Sequence, residues 1–479
     1  MRRIKRTTLI SVGACALIVG VAAAKLSLTQ LSGSWLYVAL VFLPLVFVSR
    51  NRPIKILSIV LACFVFGWWS ASKTLIRLGD YEDLYGQKVV LEVTADTDGS
   101  YDDKTQIAFD ASHIQVLDQD GYWLVGRAKI AGFGTSDVRR GDRVEVEGKL
   151  FPTIGGKQAR MSYAQMKVVE RSSSVIEKTR RKFLASLHTV LPEPSASFGI
   201  GLLIGQTSDL GKEYVDVLRI VGLSHIVAVS GYNLTIMAEV FNKKFKRGSK
   251  FFRLILSLLL INIFVLLAGT SASIARAAVV SMLVAVASYY GRNFKPLVLI
   301  LLVAAGSALW NPLNLWGDIG WYLSFLAFFG VLVLAPAIQK RFWKKKEPKI
   351  MAQIVLSSFC AQAMTLPYIM FVFHQVSLVS LITNMLVLPL IPLAMGLTAL
   401  AGVVGMIPFL KELGFVLAWP ANILLRGILD GSVLFSRVPH ASVQIVATLT
   451  TMILMYGLVI LVAIKFSRSQ TSQKTDVKL

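Results

Sequence analysis

The stretch Gly222–Met237, GLSHIVAVSGYNLTIM, decides how the chain is read. It has the apolar content of a membrane helix, yet His225 stands near its start and Ser230, Gly231, Tyr232 and Asn233 fill its middle. An unpaired backbone group costs several kcal/mol in lipid, so irregular segments survive at membrane depth only against protein or a wet cavity. The stretch therefore predicts a short or kinked helix facing a cavity. The preceding GIGLLIGQTSDL, Gly199–Leu210, is glycine-rich, ends in polar residues and has the same character.

The rest of the chain agrees with a membrane setting. Of its 479 residues 55% are hydrophobic and 16% charged, where a soluble chain carries about a quarter charged. Apolar runs open the chain at 7–24, 35–49 and 53–72. More follow at 224–241, 251–268, 273–290, 296–310, 320–338, 350–373, 379–406, 413–436 and 443–464. The net charge of +23 is concentrated at alternate junctions, such as Lys243–Arg247 and Lys340–Lys346. The opposite junctions GTSAS (269–273) and NPLNLWGDIG (311–320) contain no Lys or Arg. The positive-inside rule then predicts about twelve crossings with both termini cytoplasmic and residue 75 outside. Pro389, Pro392 and Pro420 interrupt two of the segments. The first run, after MRRIKR, has a signal-peptide-like Ala22-Ala23-Ala24, but the apolar runs close behind favour a retained helix. Cys15, Cys63 and Cys360 all fall in apolar runs, which suggests apolar fillers rather than disulfides or metal ligands.

Between 79 and 172 the pattern changes to period two. KVVLEVTAD, TQIAFDASHIQVL, YWLVGRAKIAGF, DRVEVEGKLF and ARMSYAQMKVVE alternate apolar and polar residues, with turn signals such as Asp98-Gly99 and Gly155-Gly156 between them. Five such strands predict a small closed β barrel. Residues 173–194 then read as an interfacial amphipathic helix, with Ile176, Phe183, Leu184, Leu187 and Val190 on one face. Its basic residues Lys178, Arg180, Arg181 and Lys182 crowd the start, on the side predicted to be outside. The expected organisation is helices in 1–78, barrel in 79–172, surface helix in 173–194, membrane domain in 195–465 and a cytoplasmic tail in 466–479.

Enzyme chemistry finds little support. His225 and Ser230 are five apart, about 140° around a helix, with no orienting acid. The five histidines show no H-x-H or H-E-x-x-H spacing, and no Walker A motif occurs. No cofactor or metal is expected. Among membrane residues Arg276 stands out, because an always-charged side chain is costly there.

GIGLLIGQTSDL leading into GLSHIVAVSGYNLTIM resembles the ComEC-type competence protein family, with its Gly-rich segment followed by a His…Ser-Gly segment. GTSASIARAAVVSMLVAVASYYGR, NPLNLWGDIGWYLSFLAFFGV and LITNMLVLPLIPLAM are similar to later segments of that family, in the same order, so the likeness covers most of 195–400. It departs at Gln206, where family members often have Asp, and at Tyr232-Asn233, where they often have His. The resemblance implies a channel in the bacterial cytoplasmic membrane that carries single-stranded DNA inward, with an OB-like domain outside. Many family members continue into a metallo-β-lactamase-like domain; this chain stops at Leu479 and has no H-x-H-x-D-H run. The implied partners are single-stranded DNA, the lipid bilayer, a separate nuclease, a DNA-capture apparatus and a cytoplasmic motor or single-strand-binding protein. A small-solute secondary transporter, or a polytopic membrane enzyme, is the alternative.

Candidate DNA-path residues are Gln206, His225, Ser230, Asn233, Arg276 and Asn384. In the β segment acids dominate 80–120, eleven against two bases, whereas 127–171 holds ten bases and five acids. Cations beside aromatic rings suit single strands, since phosphates need charge and bases stack. Arg127, Lys129, Arg139, Arg140, Arg143, Lys157 and Arg160, with Trp123 and Tyr163, are the expected DNA contacts. The basic residues 178–182 would stand at the outer mouth, or bind anionic headgroups.

Overall fold

The computed structural model describes residues 6–26, 51–101, 106–117, 121–135, 137–206, 209–227, 249–269, 271–291, 295–343 and 350–472. The apolar run at 35–49, and Ser230 and Asn233 among the candidates, lie outside them. The chain divides into two compact units, one of residues 1–180 and 265–322, the other of 181–264 and 323–479.

In the first unit, helix Arg6–Leu26 packs along helix Arg52–Glu82. Small residues make the close approach possible. A Cβ on Gly20 would strike the backbone of Phe64, and one on Gly67 the backbone of Leu17. Helix Arg52–Glu82 has Pro53 in its first turn, where a missing N–H costs nothing. It runs ten residues past the apolar stretch read from the sequence, because Tyr81 near its end is fully buried in the core of the barrel that follows.

That barrel has five long strands: β1 (Lys88–Ala95), β2 (Ile107–Val116), β3 (Ala128–Phe133), β4 (Arg143–Pro152) and β5 (Ala159–Glu170). Two-residue strands at Ser100–Tyr101 and Trp123–Leu124 extend the sheet along β2. The ring closes in the order β1-β4-β5-β3-β2-β1, every long pair antiparallel except β3–β5. Alternation drives closure: Leu91, Ile114, Ile130, Leu150 and Met161 all point inward with under 2% exposure. Each such burial is worth about 1.5–3 kcal/mol.

One irregularity sets the outer surface. In β5, Ala159 and Met161 face in, and strict alternation would turn Tyr163 inward too. The register against β3 instead shifts between Met161 and Ala164, and Tyr163 adopts φ 58°. This bulge moves Tyr163 outside and returns Ala164 and Met166 to the core. Gln106, 1% exposed, holds it by accepting the Tyr163 N–H at 2.8 Å. Gly132 of β3 faces the bulge, where any Cβ would collide with the Ala164 backbone.

In the second unit, helices Ser195–Ile204 and Lys212–Ile220 precede a turn at Gly222, φ 77°. Helix Ile350–Phe373 ends in a strand, Gln375–Ser377, that pairs with Ser442–Gln444. Helices Ser380–Val387 and Ile391–Gly405 are bent by 50° around Pro389, which has no N–H to continue the first helix. The C-terminal part of helix Val175–Val190 packs on Ile391–Gly405: Ser186 donates to the Gly402 carbonyl at 2.8 Å, and Phe183 and Leu187 abut Gly402.

Among the described residues, seven helices are long and apolar enough to cross a membrane, or eight if the bent pair is one span. The chain is a multi-pass membrane protein with an inserted sheet domain.

Candidate functional site

The barrel's predicted cations separate into two groups by their partners. Arg127 lies 3.3 Å from Asp96, Arg139 donates to Asp137 at 2.8 Å, and Arg143 meets Glu92 at 2.8 Å and Glu170 at 3.2 Å. Lys157 pairs with Asp110. Arg140, only 12% exposed, binds Glu177 at 2.7 Å and the Leu266 carbonyl at 2.7 Å. Arg139, Arg140, Arg143 and Lys157, expected together with Arg160 to face DNA, each stand beside a carboxylate. Asp142 completes this scaffold. It is fully buried and accepts from the backbone of Arg139 and Ser172 and from Arg171.

Lys129 and Arg160 form the second group. They are exposed, side by side in the β3–β5 register, and neither has an ion-pair partner among the described residues. Phe133 and Tyr163, 47% and 60% exposed, stand along the same seam with ring centroids 6.4 Å apart. Phe151, opposite Arg160 on β4, is exposed as well. Trp123 is elsewhere: it lines a cleft with Asp80, Asp83 and Gln87, an acidic setting that repels phosphate. Burial, then Asp80 and Asp83, push the neighbouring Tyr122 phenol up.

Arg180, expected at the outer mouth or on anionic headgroups, is buried. It is 3% exposed, grips Asp98 through both terminal nitrogens and donates to the Leu267 carbonyl at 3.0 Å. Ile176, expected on the apolar face, is 46% exposed, because Glu177 and Arg180 occupy the inward positions instead. Lys178 and Lys182 are exposed or partly so, as is Arg181.

His188, near the end of the same helix, sits between two carboxylates: Nδ1 is 2.8 Å from Glu193 and Nε2 3.6 Å from Asp209. Glu193 also accepts the Ser197 hydroxyl at 2.6 Å. Asp209 and Glu193 raise the His188 pKa above its usual value, against an opposing effect of burial. A raised pKa means that this stabilisation is complete below about pH 6.5 and is lost as pH rises through the folded-state value. Thermal unfolding midpoints of the wild type should therefore fall above about pH 6.5, and His188→Gln should flatten that slope. Identical slopes in the two proteins would contradict the clasp.

Of the membrane candidates, Arg276 is 4% exposed, lies 3.7 Å from Asp318 and donates to the Gly320 carbonyl at 3.0 Å. Asp318 thus places a carboxylate beside the guanidinium that was expected to contact phosphate. Asp318 was legible: it is the only acidic residue between Glu239 and Glu347. Asn384 is buried and its Oδ1 has no hydrogen-bond partner among the described residues; the same holds for Gln362 Oε1. The Gln362 amide donates to Ser380, which packs against Gly222, and Thr383 donates to the Val221 carbonyl at 2.8 Å. His225 donates through Nδ1 to the Gly222 carbonyl at 3.1 Å. Gln206 is half-buried just after Gly205, which ends helix Ser195–Ile204 in the left-handed conformation. The second unit thus gathers His225, Ser380 and Thr383 around the turn at Gly222, with Asn384 one residue beyond Thr383.

The profile of the family described as Competence protein matches residues 202–469, more than half of the chain. The chain belongs to the Competence protein family. It is 25% identical over 286 residues to ComE operon protein 3 of Bacillus subtilis (strain 168), across 58% of this chain and 36% of that relative. The competence chain thus matches about a third of its curated relative's length. No solved structure matches it.

Proposed function

We propose that this chain is the membrane conduit through which single-stranded DNA enters the cytoplasm during natural transformation. The observation that carries the reading is the competence-family match over 202–469, which contains the bent, polar membrane segments. A polyanion needs water or polar lining throughout, and buried oxygens such as Asn384 Oδ1 and Gln362 Oε1 fit such a wall better than a dry bundle. The barrel is OB-like and stands outside the cell: a five-stranded ring closed by one parallel pair fits that Greek-key barrel. About twelve crossings, with both termini cytoplasmic, follow from the charge alternation. The capture apparatus and motor are separate proteins in this scheme.

Deleting the gene in a naturally transformable host should reduce marker transfer to background. The intact chain should restore it, while electroporation of the same DNA stays unaffected. Undiminished transformation in the deletion strain would overturn the proposal, and a defect confined to the uptake of a small solute would point to a secondary transporter.

A further inference from the structure

The outer face of the β3–β5 seam is built in a way that the barrel's fold does not require. Several other cations of the barrel are matched to carboxylates: Arg127 to Asp96, Arg139 to Asp137, Arg143 to Glu92 and Glu170, Lys88 to Glu147. At the seam Lys129 and Arg160 are neighbours in adjacent strands. Asp110, opposite Lys129 on β2, is taken by Lys157. Like charges side by side on a sheet are destabilising. The bulge then places Tyr163 outside beside Phe133, leaving two large rings in water where alternation would have buried one of them.

We infer that the seam formed by Lys129, Arg160, Phe133 and Tyr163, with Phe151 at its edge, is a sequence-independent binding site for single-stranded nucleic acid. The assignment rests on the DNA-uptake reading for its biological ligand, but its chemistry stands on the seam alone. Two adjacent cations suit successive phosphates, and the two rings offer stacking surfaces to unpaired bases. At about 3.3 Å per residue, Lys129 and Phe133 are about 13 Å apart along β3. That is room for about four bases at 3.4 Å each. Both rings sit on strands of the barrel, so little conformational freedom is lost on binding. Double-stranded DNA does not present its base faces, so the seam favours single strands.

The test uses the full chain in lipid nanodiscs and a labelled oligothymidine. Tyr163→Ala and Phe133→Ala should each weaken binding by roughly 5- to 150-fold, the range for loss of one base stack, while Tyr163→Phe keeps wild-type affinity. Lys129→Gln with Arg160→Gln should lower the slope of log K against log salt by about 1.4, about 0.7 for each phosphate no longer neutralised. Arg139→Gln with Arg143→Gln, at cations already paired, should leave that slope unchanged. Wild-type affinity and slope in the seam variants would overturn the inference. So would equal losses in the paired-cation control, or seam variants that lose binding only to vesicles containing an acidic phospholipid. The two readings fail separately: normal oligonucleotide binding by seam variants, with uptake still dependent on the gene, removes the site alone. Seam-dependent binding with transformation unaffected by deletion keeps the site and removes the uptake role.

Discussion

Arg180→Ala is expected to lower the unfolding free energy of the barrel-bearing unit by about 3–5 kcal/mol, the usual cost of stranding one member of a buried ion pair. Asp98, its partner, is 9% exposed and would be left without the guanidinium that grips both its oxygens. The same guanidinium donates to Leu267, while Arg140, held by Glu177, donates to Leu266. These carbonyls belong to the last turn of helix Lys250–Ala268, which has no intrahelical donors left for them. Two arginines thus cap the end of a membrane helix and fasten the barrel to that turn. Arg180→Lys should recover only part of the loss, because an ammonium cannot reproduce the paired fork. Replacing both partners, Asp98→Asn with Arg180→Met, should recover most of it, since the isolated charge is gone. Thermal unfolding of the full chain in detergent, with proteolysis near 172–175 as a second probe, measures this. A loss under about 1 kcal/mol, the level of a surface pair, would contradict the burial argument.

The second large effect is at Arg276. Arg276→Ala should destabilise the fold by about 3 kcal/mol or more, and should abolish uptake through that loss. The informative comparison is Asp318→Asn. If Arg276 served mainly to hold a phosphate, removing its competing carboxylate would preserve or raise uptake. As a clamp between the start of helix Ala272–Tyr289 and the segment at Asp318–Gly320, it should instead lose stability and uptake together. A double-mutant cycle should give a coupling of about 0.5–3 kcal/mol. Full stability and full uptake in Asp318→Asn would contradict the clamp.

The parts of the molecule governed by short-range pattern were legible in the sequence. Period-two alternation marked all five barrel strands, and unbroken apolar runs marked the long helices, because burial on one face or all round writes itself into neighbouring residues. Pro389 announced the bend between Ser380–Val387 and Ile391–Gly405. What escaped was set by partners far away in the chain. Arg180 reads as a surface cation until Asp98, 82 residues earlier, is placed beside it. Arg140 is drawn inward by Glu177, 37 residues later. The pairing of Gln375–Ser377 with Ser442–Gln444 joins segments too short to carry a pattern. Tyr163 is the subtler case: its exposure was expected from its type, but the cause is a bulge stabilised by Gln106, a residue that reads as an ordinary polar strand position.

The most direct test of the account follows DNA itself. In a transformable host supplied with labelled DNA, cells carrying the chain should accumulate DNase-protected label in the cytoplasm as single strands. Cells without it should hold the label only outside the cytoplasmic membrane. Equal cytoplasmic label in both would show that the polar, bent membrane segments serve something other than the passage of DNA.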